Sequence, residues 1–168
     1  MQERTGLVTL MGNPVTLLGP VLSVGQQAPA FTVRDGSLKP VHLGDFAGKV
    51  KLLSVVPSLD TPVCELQTKR FHAEAAKLPA GVEILTLSMD LPFAQSRFCT
   101  THGIEKVRVL SDFHDASFGL AYGLLIKEVR LLARAILVLG ADDVIRYQEI
   151  VPEVSNHPDY DAALAAVR

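Results

Sequence analysis

Strand-like and helix-like hydrophobic periods alternate along this chain. Val50–Val56 is almost unbroken in its apolar character, the pattern of a central strand covered on both faces. Pro57 ends that run and Pro62 is placed to open a helix, on which Cys64, Thr68, Phe71, Ala75 and Leu78 recur at spacings of four and three. That spacing puts them on one inward stripe, with Glu65, Lys69 and Glu74 mostly elsewhere. Val82–Ser88 reads as the next strand, and Pro92 opens a second helix carrying Cys99. Val107–Leu110 is a short strand and Asp115–Tyr122 is helical. Ala135–Leu139 and Val144–Val151 flank Gly140-Ala141-Asp142-Asp143, a hairpin turn, and Pro158 starts a terminal helix. Near the start, Leu7–Met11 and Val15–Leu18 flank a tight turn at Gly12-Asn13. Strand–helix–strand units followed by a hairpin and a helix predict an α/β sandwich. No repeat or linker divides the sequence, so residues 1–168 are expected to form one domain.

Composition narrows the function classes. A formal net charge of −2 leaves no basic footprint for nucleic acid. No apolar stretch reaches the roughly eighteen residues a membrane span needs. Met1-Gln2-Glu3-Arg4-Thr5 lacks the basic start of a signal peptide, which makes a cytoplasmic chain the expectation. The 5 histidines show no close metal-ligand spacing, so no metal is expected. Gly44-Asp45-Phe46-Ala47-Gly48-Lys49-Val50 is too short for a phosphate loop and precedes a strand, which reads as a turn. The 2 cysteines make no disulfide scaffold, and the default for each is a small buried hydrophobe.

Two positions depart from that default. Cys64 falls in the first turn of its helix, where unpaired backbone N–H groups and the positive end of the helix dipole favour thiolate over thiol. Thr61 lies three residues earlier, with a hydroxyl able to donate to the sulfur or to a substrate oxygen. Arg134 sits within Leu131–Leu139, where strand alternation sets it on one face with Ile136 and Val138. A buried guanidinium needs a partner, and no acid lies in this run. The Cys64 thiolate is one candidate; an arginine whose head reaches water at a strand end is the other, and the pattern alone balances the two. Arg108 and Arg130 have less apolar neighbours and read as solvated.

The segment Pro57-Ser58-Leu59-Asp60-Thr61-Pro62-Val63-Cys64 resembles the peroxidatic motif of the peroxiredoxins, P-x-x-x-[T/S]-x-x-C, with every fixed position filled. Met11-Gly12-Asn13-Pro14-Val15-Thr16-Leu17, Ser96-Arg97-Phe98-Cys99, Ala133-Arg134-Ala135 and Pro158-Asp159-Tyr160-Asp161-Ala162-Ala163-Leu164 are similar to segments of its thiol peroxidase subfamily. The resemblance implies a thioredoxin-like fold, a central mixed sheet flanked by helices, with an added N-terminal β-hairpin over residues 1–20. It implies Cys64 as peroxidatic and Cys99 as resolving cysteine, joined in an intramolecular disulfide, with Thr61 and Arg134 polarising a hydroperoxide and Pro57 shielding the pocket from water. It further implies no cofactor, recycling by thioredoxin or a similar dithiol, and a homodimer. Position 62 varies among such proteins, and proline there suits a first helical turn.

An acidic cysteine alone is too weak a device. An ordinary thiol is about 3% ionised at neutral pH, so full ionisation gains only roughly thirtyfold. Enzymes typically accelerate reactions by ~10⁶ or more, so alignment of the peroxide and donors to the leaving oxygen must supply the rest. Bridged cysteines need Cα atoms roughly 4.4–6.8 Å apart, so two cysteines on separate helices predict local unwinding during turnover. Phe93 and Phe98 are candidates for an apolar mouth, or for simple core packing. A slow redox sensor using the same disulfide and a structural thioredoxin-fold module remain as alternatives.

Overall fold

The computed structural model describes residues Met1–Arg168. The chain runs β1 (Glu3–Leu10), β2 (Asn13–Leu18), β3 (Thr32–Arg34), β4 (Pro40–His42), a 3-10 turn (Leu43–Phe46), β5 (Val50–Val55), α1 (Pro62–Ala75), β6 (Val82–Ser88) and α2 (Pro92–His102). It continues with β7 (Arg108–Ser111), α3 (Ser117–Ala121), β8 (Leu125–Ile126), β9 (Ala135–Leu139), β10 (Ile145–Ile150) and α4 (Tyr160–Ala166). The main sheet has the order β10-β9-β5-β6-β7-β3-β4. Strands β5, β6 and β7 pair in parallel, whereas β9 joins β5, and β10 joins β9, antiparallel. This is the expected mixed sheet, with Val50–Val55 an interior strand between β9 and β6.

Alternation along the strands divides the core. Leu53, Leu85, Leu137 and Leu139 face one way, with Phe31, Phe118 and Tyr122. Leu52, Ile84, Ile136 and Val138 face the other, where they meet Cys64 and Phe71 of α1, Phe98 of α2 and Ala163 and Leu164 of α4. Two polar side chains interrupt β5. Lys51 is fully buried against Asp143 and the Phe46 carbonyl, and Ser54 is buried beneath α1.

The N-terminal hairpin forms a separate sheet, β1-β2-β8. Leu10 pairs with Asn13, so its turn is Met11-Gly12 rather than Gly12-Asn13. Both turn residues have positive φ, 50° and 80°, the mirror-image turn that matches strand twist; Met11 tolerates a conformation that usually selects glycine or asparagine. Val8, Val15 and Leu17 of the hairpin pack on Ile126, Ala133 and Val154, beside Arg134.

Other boundaries also differ from the pattern. Helix α1 ends at Ala75, so Leu78 leaves the stripe and packs from the following turn. Helix α3 is confined to Ser117–Ala121, held by Asp112, whose carboxylate accepts the Phe118 and Gly119 N–H groups at 2.9 and 2.8 Å. Helix α4 begins at Tyr160, because the Asp159 side chain accepts the Ala162 N–H and caps it two residues after the expected Pro158 start.

Candidate active site around Cys64

Helix α1 begins with Thr61 as N-cap and Pro62 in the first turn, which places Cys64 on the inward face at 0% exposure. The first helical hydrogen bond is donated by the Glu65 N–H to the Thr61 carbonyl, so the Val63 and Cys64 amides have no helical acceptor. The Thr61 side chain makes no capping bond to the helix. Instead its Oγ1 lies 2.6 Å from Cys64 Sγ and 3.1 Å from the Ser58 carbonyl, so its single proton has two competing acceptors. A hydroxyl on that branch point can follow whichever neighbour carries more negative charge.

Arg134 directly precedes β9 and is 1% exposed, yet all three arms of its guanidinium are used. Nη2 donates to Cys64 Sγ at 3.1 Å, Nη1 to Gln67 Oε1 at 2.8 Å, and Nε to the Val154 carbonyl at 2.7 Å. The partner that the sequence left open is thus the sulfur. No carboxylate joins the cluster; two neutral acceptors hold the cation and leave the sulfur as the atom best able to carry a compensating negative charge.

Gln67 was missed by the sequence reading. It is fully buried, donates Nε2 to Ser54 Oγ at 2.8 Å, and thereby presents its oxygen to Arg134. Its position three residues after Cys64, beside the inward stripe, was the available signal, since a buried amide demands partners. Thr68, on the stripe, turns its hydroxyl back to the Cys64 carbonyl at 2.9 Å.

A cavity of about 370 Å³ opens beside this cluster. Pro57, Thr61, Pro62, Val63 and Arg134 line it on one side, and Leu10 and Met11 from the hairpin tip, with Leu131 and Val154, are also among its lining residues. Pro57 is buried at this wall. Phe93 and Phe98 are not part of it. Phe98 is core, one of the two readings left open for it, and Phe93 is 64% exposed on α2; aliphatic residues of the hairpin line the cavity instead.

Cys99 stands apart. Both cysteines are free thiols, Cys64 buried and Cys99 half-buried. Cys99 packs against the edge of the apolar cluster that contains Cys64 and borders a different cavity, with Thr100, Gly103, Ile104 and Glu105. It lies in the last turn of α2, where its carbonyl accepts from the amides of Gly103 and Ile104, and Gly103 takes the left-handed conformation that ends the helix. Burial pushes the Cys99 thiol up from its ordinary value, which favours the neutral form in this arrangement. Arg108 and Arg130 are solvent-exposed, as expected.

Comparison with known proteins agrees with this geometry. The Redoxin family model matches residues 23–164. The chain is 55% identical over 161 residues to a thiol peroxidase of Halalkalibacterium halodurans, covering 96% of each protein. It is 54% identical over 158 residues to a thiol peroxidase of Oceanobacillus iheyensis, covering 94% of this chain and 96% of that one. Among solved structures, a peroxiredoxin-like protein from Aquifex aeolicus superposes with a TM-score of 0.90 at 41% identity, over 97% of this chain and 96% of that one. The sulfur held by Thr61 and Arg134, and full-length likeness to thiol peroxidases, lead to one conclusion: this chain belongs to the Redoxin family, in its thiol peroxidase branch, and is a thiol-dependent peroxidase.

Proposed function

We propose that Cys64 is the peroxidatic cysteine and Cys99 the resolving cysteine of a two-step cycle. The Cys64 thiolate attacks the terminal oxygen of a hydroperoxide, forming an S–O bond as the O–O bond breaks. The leaving oxygen takes a proton and departs as water or an alcohol, and Cys64 becomes a sulfenic acid. The observation that carries this reading is the convergence of Thr61 Oγ1 and Arg134 Nη2 on one buried sulfur beside an open cavity. These donors can follow negative charge from the sulfur to the peroxide oxygens, and the unpaired Val63 and Cys64 amides supply two more. Pro57 and the aliphatic wall keep water from competing.

In the second step the Cys99 sulfur attacks the sulfenic sulfur, giving a Cys64–Cys99 disulfide and water. The separate environments of the two thiols support local unwinding of the first turn of α1 and the last turn of α2 before this step. Thioredoxin or a similar dithiol then returns both thiols by exchange, with no bound cofactor. The family likeness supports hydrogen peroxide and alkyl hydroperoxides as substrates, and a cytoplasmic homodimer built from one thioredoxin-like unit per chain. No helix is long and apolar enough to cross a membrane.

The test is thioredoxin-coupled peroxide consumption by the wild type, Cys64→Ser and Cys99→Ser. Loss of all turnover in Cys64→Ser, and of sustained recycling in Cys99→Ser, supports both roles. Undiminished recycling in Cys99→Ser would reject the resolving assignment.

A further inference from the structure

Asp90 stands between β6 and α2 and links the loop before α1 to the first turn of α2. Its carboxylate accepts the Ser58 hydroxyl at 2.7 Å and the Leu59 N–H at 2.8 Å, both from the loop that carries Pro57 and Thr61. It also accepts the Ser88 hydroxyl at 2.8 Å. Ser88 Oγ in turn accepts Gln95 Nε2 at 3.0 Å, and Gln95, buried on α2, also donates to the Leu110 carbonyl at 2.9 Å. From the other side Ser111 Oγ donates to the Asp90 carbonyl. The donors are ordered in one direction, from the amide of Gln95 to the hydroxyl of Ser88 to the carboxylate, so each bond polarises the next.

The remaining hydrogen bonds of residues 58–61 stay inside the loop or go to α1. Thr61 N–H donates to the Ser58 carbonyl, Asp60 N–H to Ser58 Oγ, and the Thr61 carbonyl accepts from Glu65. The polar attachment of this loop to the rest of the fold is therefore the Asp90 carboxylate. Through Ser88 and Gln95 the same carboxylate is tied to the helix whose last turn carries Cys99.

We propose that Asp90 is a positioning residue that clamps the Cys64 loop to the start of α2 and thereby sets the balance between peroxide reduction and disulfide formation. The proposal rests on the assignment of Cys99 as resolving thiol. While the clamp is closed, Ser58 and Thr61 are held and the Thr61 hydroxyl is aimed at the sulfur. When it opens, loop and α2 are free to unwind, and Cys99 can reach the sulfenic sulfur. There the S–S bond forms as the S–O bond breaks, and the hydroxyl leaves as water with the Cys99 proton. The clamp accordingly accelerates the first step and restrains the second.

Quenched-flow mass spectrometry of reduced protein mixed with excess hydrogen peroxide reads sulfenic, disulfide and sulfinic forms of Cys64 separately. Asp90→Ala is expected to slow sulfenic acid formation about tenfold, to speed disulfide formation about fivefold, and to lower the sulfinic yield, as loss of one or two net hydrogen bonds predicts. Asp90→Asn is expected to restore all three, because its oxygen can accept the Leu59 N–H while its NH₂ donates to Ser58 Oγ. A general loss of structure would not separate the two steps in opposite directions. Disulfide formation that is unchanged or slower in Asp90→Ala, or Asp90→Asn behaving as Asp90→Ala, overturns the proposal. If Asp90→Ala does not fold, Ser58→Ala removes one loop-side bond and should show the same opposed shifts at smaller size; its absence is equally decisive. A wild type that forms no Cys64–Cys99 disulfide would instead reject the underlying assignment, and that control is read first.

Discussion

Replacing Arg134 by methionine separates what the guanidinium does for stability from what it does for chemistry. Methionine keeps an unbranched apolar stem but removes three donors from a site that is 1% exposed. The Val154 carbonyl and Gln67 Oε1, now bonded at 2.7 and 2.8 Å, lose their partner. An unsatisfied buried acceptor costs about 1–3 kcal/mol, so about 2–6 kcal/mol of stability should disappear unless water enters. In the proposed mechanism the bond to Cys64 Sγ at 3.1 Å is the catalytic part. Removing one preorganised donor from developing charge typically costs about 10²–10³ in rate. Arg134→Lys should recover only part of either loss, because one ammonium cannot span three acceptors in the fork geometry. Urea unfolding of the reduced protein measures the first quantity, and single-turnover sulfenic acid formation measures the second. An Arg134→Met protein whose stability lies within about 1 kcal/mol of wild type, or whose peroxide rate lies within about threefold, would refute the corresponding half of the reasoning.

Thr61→Val retains the branched shape but loses the hydroxyl at 2.6 Å from the sulfur; single-turnover rates should fall about 10²-fold while Thr61→Ser stays near wild type. Met11→Asp puts a charge at the aliphatic wall of the cavity and should lower kcat/KM for cumene hydroperoxide about tenfold, with hydrogen peroxide nearly unaffected. Glu153, which accepts from the Ser155 and Gly12 amides and the Thr9 hydroxyl, has its carboxyl pulled down to about 2. Its contribution is present above the ordinary value of about 4.3 and is lost as pH falls through about 2, so the advantage of wild type over Glu153→Gln in urea unfolding should fade across that window. Burial pushes Asp112 up to about 6, the opposite sign. Its folded form binds the proton more tightly, so stability should rise as pH falls from about 6 toward 3.9, an increment absent in Asp112→Asn.

Much of the site was legible because its chemistry conflicts with its surroundings. A cysteine in a first helical turn and an arginine inside Leu131–Leu139 are both anomalous locally, and the two anomalies resolve each other in space. The central strand and the Gly140–Asp143 turn followed from strong periodicity. The remainder depended on contacts that no local pattern encodes. Strands β3, β4 and β8 are three residues or shorter, too brief for alternation to register. Gln67 and Asp90 are ordinary polar residues whose roles arise from partners 13 and 67 positions away for the first, and 31 and 32 for the second. The hairpin turn moved by one residue because a Gly-Asn pair suggested itself, whereas the strand register required Met11-Gly12. Phe93 and Phe98 illustrate the converse, since aromatic identity alone does not distinguish a substrate wall from core or surface.

Pro62 bears on the unwound form of α1 that the proposed cycle invokes. At the first turn of the helix its missing N–H leaves no intrahelical bond unmade, and its ring holds φ near the helical value in either state. A residue that is already restricted gives the opened segment fewer conformations to explore. Such a restriction lowers the entropy of the disordered form by roughly 0.4–1 kcal/mol relative to a freer residue, without touching any contact of the ordered one. In the proposed cycle, Pro62 thus biases α1 toward the wound state. The wound form of α1 is thus favoured in part by a residue that also lines the cavity beside Cys64.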